Sequence, residues 1–147
     1  MINSICHKFP GYKNTTRIDI QCEILPLSFR EISTASPDEP SSVIRERVLR
    51  ARNIQARRFA SIQGVHCNAQ MSEKHLCEYC VLDTESSELL RLAMERLQLS
   101  ARAYSRILKV ARTIADLEVS ESIQSHHVAE AIGYRNLDRS DWAERRG

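Results

Sequence analysis

The sequence predicts a mainly α protein, in which four or five short helices form a bundle after a single β-strand. Three observations carry this prediction. Only four of the 147 residues are Gly and only four are Pro, which disfavours a loop-rich or all-β chain. Apolar residues recur at i, i+3, i+4 and i+7 in several segments after residue 41. Short connections join these segments, and they favour antiparallel neighbours in one bundle.

The strand is predicted from an alternating segment near the start of the chain. Every second residue of this segment is apolar, namely Ile18, Ile20, Cys22 and Ile24. Pro26 ends the pattern, so the strand is expected at about 18–25. Because a lone strand is not stable, its partners lie either in residues 1–16 or outside this chain. Residues 33–42 (STASPDEPSS) are rich in turn formers and are predicted to be a linker.

Five helices are predicted after the linker, and most have an identifiable N-cap. The expected spans are 42–62 with Ser41 or Ser42 as cap and Gly64 as stop, 72–80, 84–97 with Asp83 or Thr84 as cap, 101–117 with Ser100 as cap, and 125–134. Side chains expected to face the core include Leu92 and Arg96 in the third helix. In the fourth helix they include Ala101 and Tyr104.

The fourth predicted helix is the most informative segment. One side carries an apolar stripe and the other side carries a polar, mostly basic row, Arg102, Ser105, Arg106, Lys109 and Arg112. A second basic region lies between residues 41 and 60, which contain six Arg and one Glu. The formal net charge of +2 is too small to indicate nucleic-acid binding by itself. This Arg-rich helix therefore fits either a phosphate backbone or an acidic partner surface, and the sequence leaves both open.

Cysteine usage predicts a reduced, cytoplasmic protein. The chain has five Cys, no secretory signal after Met1 and no apolar run approaching the roughly 18 residues of a membrane span. Cys77-x-x-Cys80, with His66, Cys67 and His75 nearby, suggests zinc. However, the second ligand pair is adjacent in sequence, so small hydrophobic packing is the preferred interpretation and no metal site is predicted. His126 and His127 are interpreted as helix-capping residues.

No nucleotide-hydrolysing loop is present in the sequence. The phosphate-binding pattern GxxxxGK[ST] does not occur, and nothing selects a nucleophilic or paired-carboxylate site. We therefore expect the isolated chain neither to hydrolyse ATP nor to bind a cofactor.

Several ordered segments together resemble one family. They are Asn68–Ser72, the stretch from Leu97 to Leu117, His126–Ile132 and Tyr134–Asp138, and the segment from Pro40 to Val48 resembles the family's first lid helix. The family is the magnesium-chelatase-like AAA+ ATPases, ComM/YifB branch, and the resemblance is to their C-terminal region. It implies a helical lid over residues 43–138, a remnant of the α/β ATPase core over 1–32 that ends in the predicted strand, and a charged tail over 139–147.

The resemblance also implies roles for individual residues. Arg102 occupies the place of the sensor 2 arginine, which reads the nucleotide, and Arg106 is a weaker companion. Arg17, in the segment Arg17–Ile20, resembles an arginine finger that reaches the neighbouring subunit's site. A full-length protein of this kind would bind ATP and Mg²⁺, assemble as a ring (a hexamer) through its own core and neighbouring subunits, and remodel DNA by branch migration in competence and recombination. Its Walker A, Walker B and sensor 1 elements would lie upstream.

Two other functions stay open from the sequence. A stand-alone helical module could bind nucleic acid or protein through its two basic helices. A fragment of a chelatase ATPase subunit would instead require a porphyrin-binding partner.

Overall fold

The computed structural model describes residues 39–135 and, before them, residues 19–22, 26, 29 and 33. Within 39–135 the chain forms five α-helices: α1 (Ser41–Arg58), α2 (Glu73–Tyr79), α3 (Thr84–Arg96), α4 (Ala101–Leu117) and α5 (Ser125–Gly133). A 3-10 turn (Asn68–Gln70) lies between α1 and α2, and Leu82 and Ile123 form an isolated parallel bridge. The predicted mainly α fold is confirmed.

Helix α4 is the centre of the bundle. It packs against α1, α2, α5 and the 3-10 turn, while α3 packs against α5. Ile107, Ala111 and Ala115 of α4 are completely buried. The two alanines bring neighbouring helices close, and the apolar side chains around them supply the burial that stabilises the short helices.

Two of the predicted N-caps are confirmed. The Asp83 carboxylate accepts the Ser86 backbone N–H at 2.8 Å, and the Ser100 hydroxyl accepts the Ala103 N–H at 3.3 Å. The predicted serine cap of α1 is wrong, because Pro40 occupies the N-cap and no side chain caps the helix. This helix also ends at Arg58 instead of Ile62, since Phe59 leaves the helix to bury its ring in the core at 3% exposure.

Some positions on two predicted helix faces were wrong. In α3 the deeply buried residue is Leu90, whereas Leu92 and Arg96 are exposed. In α4 Ala103 is buried, whereas Ala101 and Tyr104 are exposed. Arg112 was assigned to the surface row but is only 3% exposed. A buried arginine breaks the polar-outside pattern on which such assignments depend.

Helices α3 and α4 are each followed, two residues after their last residue, by a residue that is not glycine but has a left-handed backbone conformation. Gln98 has φ 49° and Val119 has φ 60°. After α4, the Ser120 N–H donates to Ala115 O at 2.8 Å and the Val119 N–H donates to Asp116 O at 3.2 Å, which is the Schellman arrangement. A β-branched residue is disfavoured at positive φ. The turn after α4 must therefore be held by other contacts.

Residues 19–22 do not form the strand predicted for 18–25. Asp19 and Ile20 are exposed, and no β-ladder partner for them exists among the described residues. The segment is attached to the bundle instead, because the Gln21 N–H donates to Tyr134 O at 3.0 Å. Arg17, the rest of residues 1–18 and the predicted tail 139–147 lie outside the described part of the chain.

Candidate functional site: a basic groove at the start of helix α4

An open groove of about 530 Å³ lies along the first two turns of α4. It is lined by Glu73, Ala101, Arg102, Tyr104, Ser105, Arg106 and Lys109. Three of these side chains are cationic and one is a carboxylate, so the groove carries a net positive charge. The predicted sensor residue and its companion therefore line the same groove.

The helix itself places the three cations together. Arg102, Arg106 and Lys109 are four and three residues apart, a spacing that puts side chains on one face of a helix. The first turn of α4 contains no acidic residue, so the positive end of the helix dipole adds to their charge. Both effects favour an anion in the groove.

The polar side chains of the groove differ in whether another residue already binds them. Lys109 Nζ donates to Ala69 O at 3.0 Å, and the Ser105 hydroxyl donates to the Glu73 carboxylate at 2.9 Å. Arg106 forms an ion pair with Asp19, with 2.6 Å between nitrogen and oxygen. The exposed Arg102 has no ion-pair partner among the described residues. Arg102 is therefore the guanidinium of this groove that can accept an anionic ligand without breaking a contact.

The opposite end of α4 holds a buried charge network. The Asp116 carboxylate is fully buried and accepts hydrogen bonds from both terminal nitrogens of Arg58, at 2.8 and 2.5 Å. It also accepts one from Nε of Arg112 at 3.2 Å. The amide of the buried Asn68 donates to the same carboxylate at 2.8 Å. The remaining nitrogens of Arg112 donate to the carbonyls of Ser120 and Glu121 at 2.6 and 2.8 Å.

This network stabilises the fold, and its donors and acceptors are already paired with one another, so few are left to bind a ligand. It joins the end of α1, the 3-10 turn and α4, and Arg112 also holds the strained turn that contains Val119. Burial lowers the pKa of Arg112, and the Asp116 charge opposes that shift. Sequence analysis missed the network because Arg58, Asn68 and Asp116 are far apart in the chain. The Arg112–Asp116 spacing of four residues was the one local signal.

Two histidines and one carboxylate form the sole cluster of three potential metal ligands that the described residues contain: Glu118, His126 and His127. Nε2 of each ring lies 2.9 Å from Glu118 Oε2, and these hydrogen bonds lower the Glu118 pKa. Nδ1 of His127 accepts the Gln124 backbone N–H at 2.9 Å. Nε2 of neutral His127 therefore carries the proton and donates to Glu118, whereas a metal-bound histidine donates from its other nitrogen. The geometry fits a helix cap, as predicted for His127.

The cysteines suggested as zinc ligands are in different environments. Cys77 is exposed and Cys80 is buried. Burial raises the pKa of the Cys80 thiol to about 11, and its Sγ lies 3.8 Å from Leu108 O. Among the described residues, these two cysteines do not form a ligand cluster with His66, Cys67 or His75.

The Arg-rich helix α1 is divided between structural and exposed arginines. Arg58 belongs to the buried network, and Arg47 pairs with Glu39 at 3.0 Å. Four arginines remain exposed, Arg45, Arg50, Arg52 and Arg57. The neighbouring apolar side chains Val43, Ile44, Val48 and Leu49 are also at least 41% exposed. Ile44 and Val48 lie on the same face of α1 as the buried Ala51 and Gln55, but the rest of the bundle does not cover them.

Together these features define a helical bundle with a basic groove at one end of its central helix. The profile of one family, described as magnesium chelatase, subunit ChlI C-terminal, matches residues 38–135. The chain belongs to this family.

Curated relatives agree with the family match. Competence protein ComM of Haemophilus influenzae is 39% identical over 122 residues, which are 83% of this chain and 23% of the relative. The YifB proteins of Salmonella typhimurium and Escherichia coli are 38% and 37% identical over 124 residues, which are 84% of this chain and 24% of each relative. The chain thus spans about a quarter of the length of these relatives, and the predicted ComM/YifB-like C-terminal region is confirmed.

None of the helices in the described part of the chain is both long enough and apolar enough to cross a lipid bilayer.

Proposed function

We propose that this chain is the nucleotide-sensing lid of a magnesium-chelatase-like AAA+ ATPase, and that Arg102 binds the phosphates of ATP. The observation that carries the proposal is the exposed Arg102 guanidinium, which has no ion-pair partner in the described part of the chain and lies in a basic groove at the start of α4. A guanidinium presents two parallel N–H donors to a phosphate, and the helix dipole favours the same charge. Family membership and the relatives' greater length support a longer protein with an ATPase core.

The residues of the groove fit a phosphate better than they fit a metal ion. Its one carboxylate, Glu73, is held by Ser105, and the other charged groups are cations. Mg²⁺ would therefore be held with ATP by the ATPase core, outside this chain. Within the ring, Arg17 would reach the ATP of the neighbouring subunit as an arginine finger. The assembled cytoplasmic protein would remodel DNA, as the family resemblance implies, and one relative is named a competence protein.

The test is ATP turnover in a chimera. The C-terminal region of the Haemophilus ComM relative is replaced by residues 38–135 of this chain, and Arg102→Ala is compared with the parent chimera. Loss of a charge-assisted hydrogen bond to phosphate should lower turnover about 10- to 100-fold.

The matched control is Arg45→Ala, which removes an exposed arginine from α1, away from the groove. It should leave turnover unchanged. Equal turnover of the Arg102→Ala chimera and the parent would remove the sensor role.

A second candidate function is binding of nucleic acid by α1. The four exposed arginines on this helix favour it, since phosphate contacts dominate such binding. It predicts that DNA affinity of the isolated chain falls linearly with salt on logarithmic axes. Arg45→Ala would then weaken DNA binding, whereas Arg102→Ala would not.

A further inference from the structure

Two contacts attach residues 19–22 to the bundle. Arg106 binds the Asp19 carboxylate at 2.6 Å, and the Gln21 N–H donates to Tyr134 O at 3.0 Å. The Arg106 side chain is only 17% exposed, whereas the Asp19 side chain is 50% exposed. The arginine is therefore largely enclosed by the bundle, and the aspartate is the partner that solvent and ligands can reach.

The same arginine lines the groove proposed to bind phosphate. It lies one helical turn from Arg102, so a phosphate bound by Arg102 would approach the guanidinium that now holds Asp19. The phosphate and the Asp19 carboxylate carry charge of the same sign and require the same donors. Like charges at such short range oppose each other's binding.

We propose that the Asp19–Arg106 ion pair is an anion-sensitive latch, which a phosphate group in the groove opens by competing with Asp19. The proposal rests on the proposed function of the groove. Opening the latch removes the Asp19 attachment of this segment and weakens the neighbouring hydrogen bond between Gln21 and Tyr134. Arg106 positions this segment while it holds Asp19, and it exchanges that carboxylate for the phosphate when the latch opens.

The latch would connect two sites of the proposed ring. Arg17, the candidate arginine finger, precedes Asp19 by two residues in the sequence. Two residues span at most about 7 Å of extended chain, so fixing Asp19 limits where residue 17 can reach. Phosphate bound in the groove of one subunit would release Asp19 and thereby change where Arg17 of that subunit can reach in the neighbouring subunit's site.

The experiment uses the 147-residue chain and inorganic pyrophosphate at constant ionic strength. NMR measures the water-exchange rate of the Gln21 amide, whose hydrogen bond to Tyr134 reports docking of the segment. Saturating pyrophosphate should raise this rate about two- to fivefold, the size expected for loss of a partly exposed ion pair.

The informative variant is Asp19→Asn, which removes the competing charge and leaves the groove cations in place. It should raise Gln21 exchange without pyrophosphate. By thermodynamic linkage it should also bind pyrophosphate about two- to fivefold more tightly than the parent. The matched control is Glu39→Gln, because Glu39 is 41% exposed and also pairs with an arginine, Arg47. This control should behave as the parent does.

The outcomes separate the two proposals. In one outcome, pyrophosphate binds and its binding depends on Arg102, but it does not change Gln21 exchange, and Asp19→Asn binds it no more tightly than the parent. That outcome would overturn the latch and leave the sensor groove intact. Failure of pyrophosphate to bind the groove would overturn both.

Discussion

The two ends of α4 use arginine in opposite ways. At the C-terminal end Arg112, together with Arg58, surrounds a carboxylate that is completely buried. At the N-terminal end Arg102 is exposed, and Arg106 binds only the half-exposed Asp19. The same residue type on one helix therefore stabilises the fold at one end and is available to a ligand at the other. The two ends differ in the carboxylate that the arginines contact, which is the buried Asp116 at one end and the half-exposed Asp19 at the other.

The difference has an energetic reason. A charge buried without a partner costs several kcal/mol, so the C-terminal network is fixed once Arg58, Arg112 and Asp116 are enclosed. At the N-terminal end only Arg106 is largely buried and Asp19 is half exposed, so exchanging Asp19 for another anion costs less than opening the C-terminal network. Substitutions at the two ends should therefore separate stability from binding.

The largest effect is expected for Asp116→Ala. This substitution leaves two arginines around an uncompensated site and removes an acceptor from the buried Asn68 amide. We expect the free energy of unfolding to fall by about 3–5 kcal/mol, measured by urea denaturation.

Glu88→Gln is the matched control for this comparison. Glu88 also pairs with an arginine, Arg91, but both side chains are about half exposed. This control should change stability by less than about 0.5 kcal/mol. Equal effects of the two substitutions would show that the buried network is not what holds α1 against α4.

A smaller effect is expected from the pH dependence around Cys80, which lies beside the buried end of α4. The thiol pKa is raised from 9.0 to about 11, chiefly by burial. The unfolded chain therefore loses the thiol proton first, and the folded state loses stability as the pH rises through this interval. The loss should reach about 2–3 kcal/mol at pH 11.

The control for this pH dependence is Cys80→Ala, with stability measured by urea denaturation at several pH values. Removing the thiol should flatten the decline above pH 9. A decline of the same slope in both proteins would show that Cys80 is not its source.

Sequence reasoning succeeded where the cause was local. Asp83 and Ser100 were identified as N-caps because a cap depends on residues only three positions apart. The apolar spacing likewise predicted α4, with Ala111 and either Ile107 or Leu108 on its core face, and all three are buried. Family resemblance, more than spacing alone, singled out Arg102.

The failures have a common physical cause, which is partners distant in sequence. Arg112 was assigned to the surface because nothing nearby shows that Arg58 and Asn68 meet Asp116 in the core. The alternation at 18–25 predicted a strand, but residues 19–22 pair with no strand in the described part of the chain and contact Arg106 and Tyr134. In α3, Leu92 and Arg96 were assigned to the core because the sequence pattern does not show that Leu90 joins the buried cluster while those two side chains stay exposed.

The smallest effect on stability, and the most direct test of the comparison, is expected for Arg102→Ala. An exposed arginine without an ion pair should change the free energy of unfolding by less than about 0.5 kcal/mol. Pyrophosphate affinity, in contrast, should fall about 10-fold or more, because a charge-assisted hydrogen bond to phosphate is lost.

The measurement is an NMR titration of the parent chain and the Arg102→Ala variant with pyrophosphate. We expect the chemical-shift changes in the parent chain to cluster at the start of α4, around Arg102, Ser105, Arg106 and Lys109, and to vanish largely in the folded variant. Shifts that instead follow the arginines of α1 and persist unchanged in the variant would contradict it.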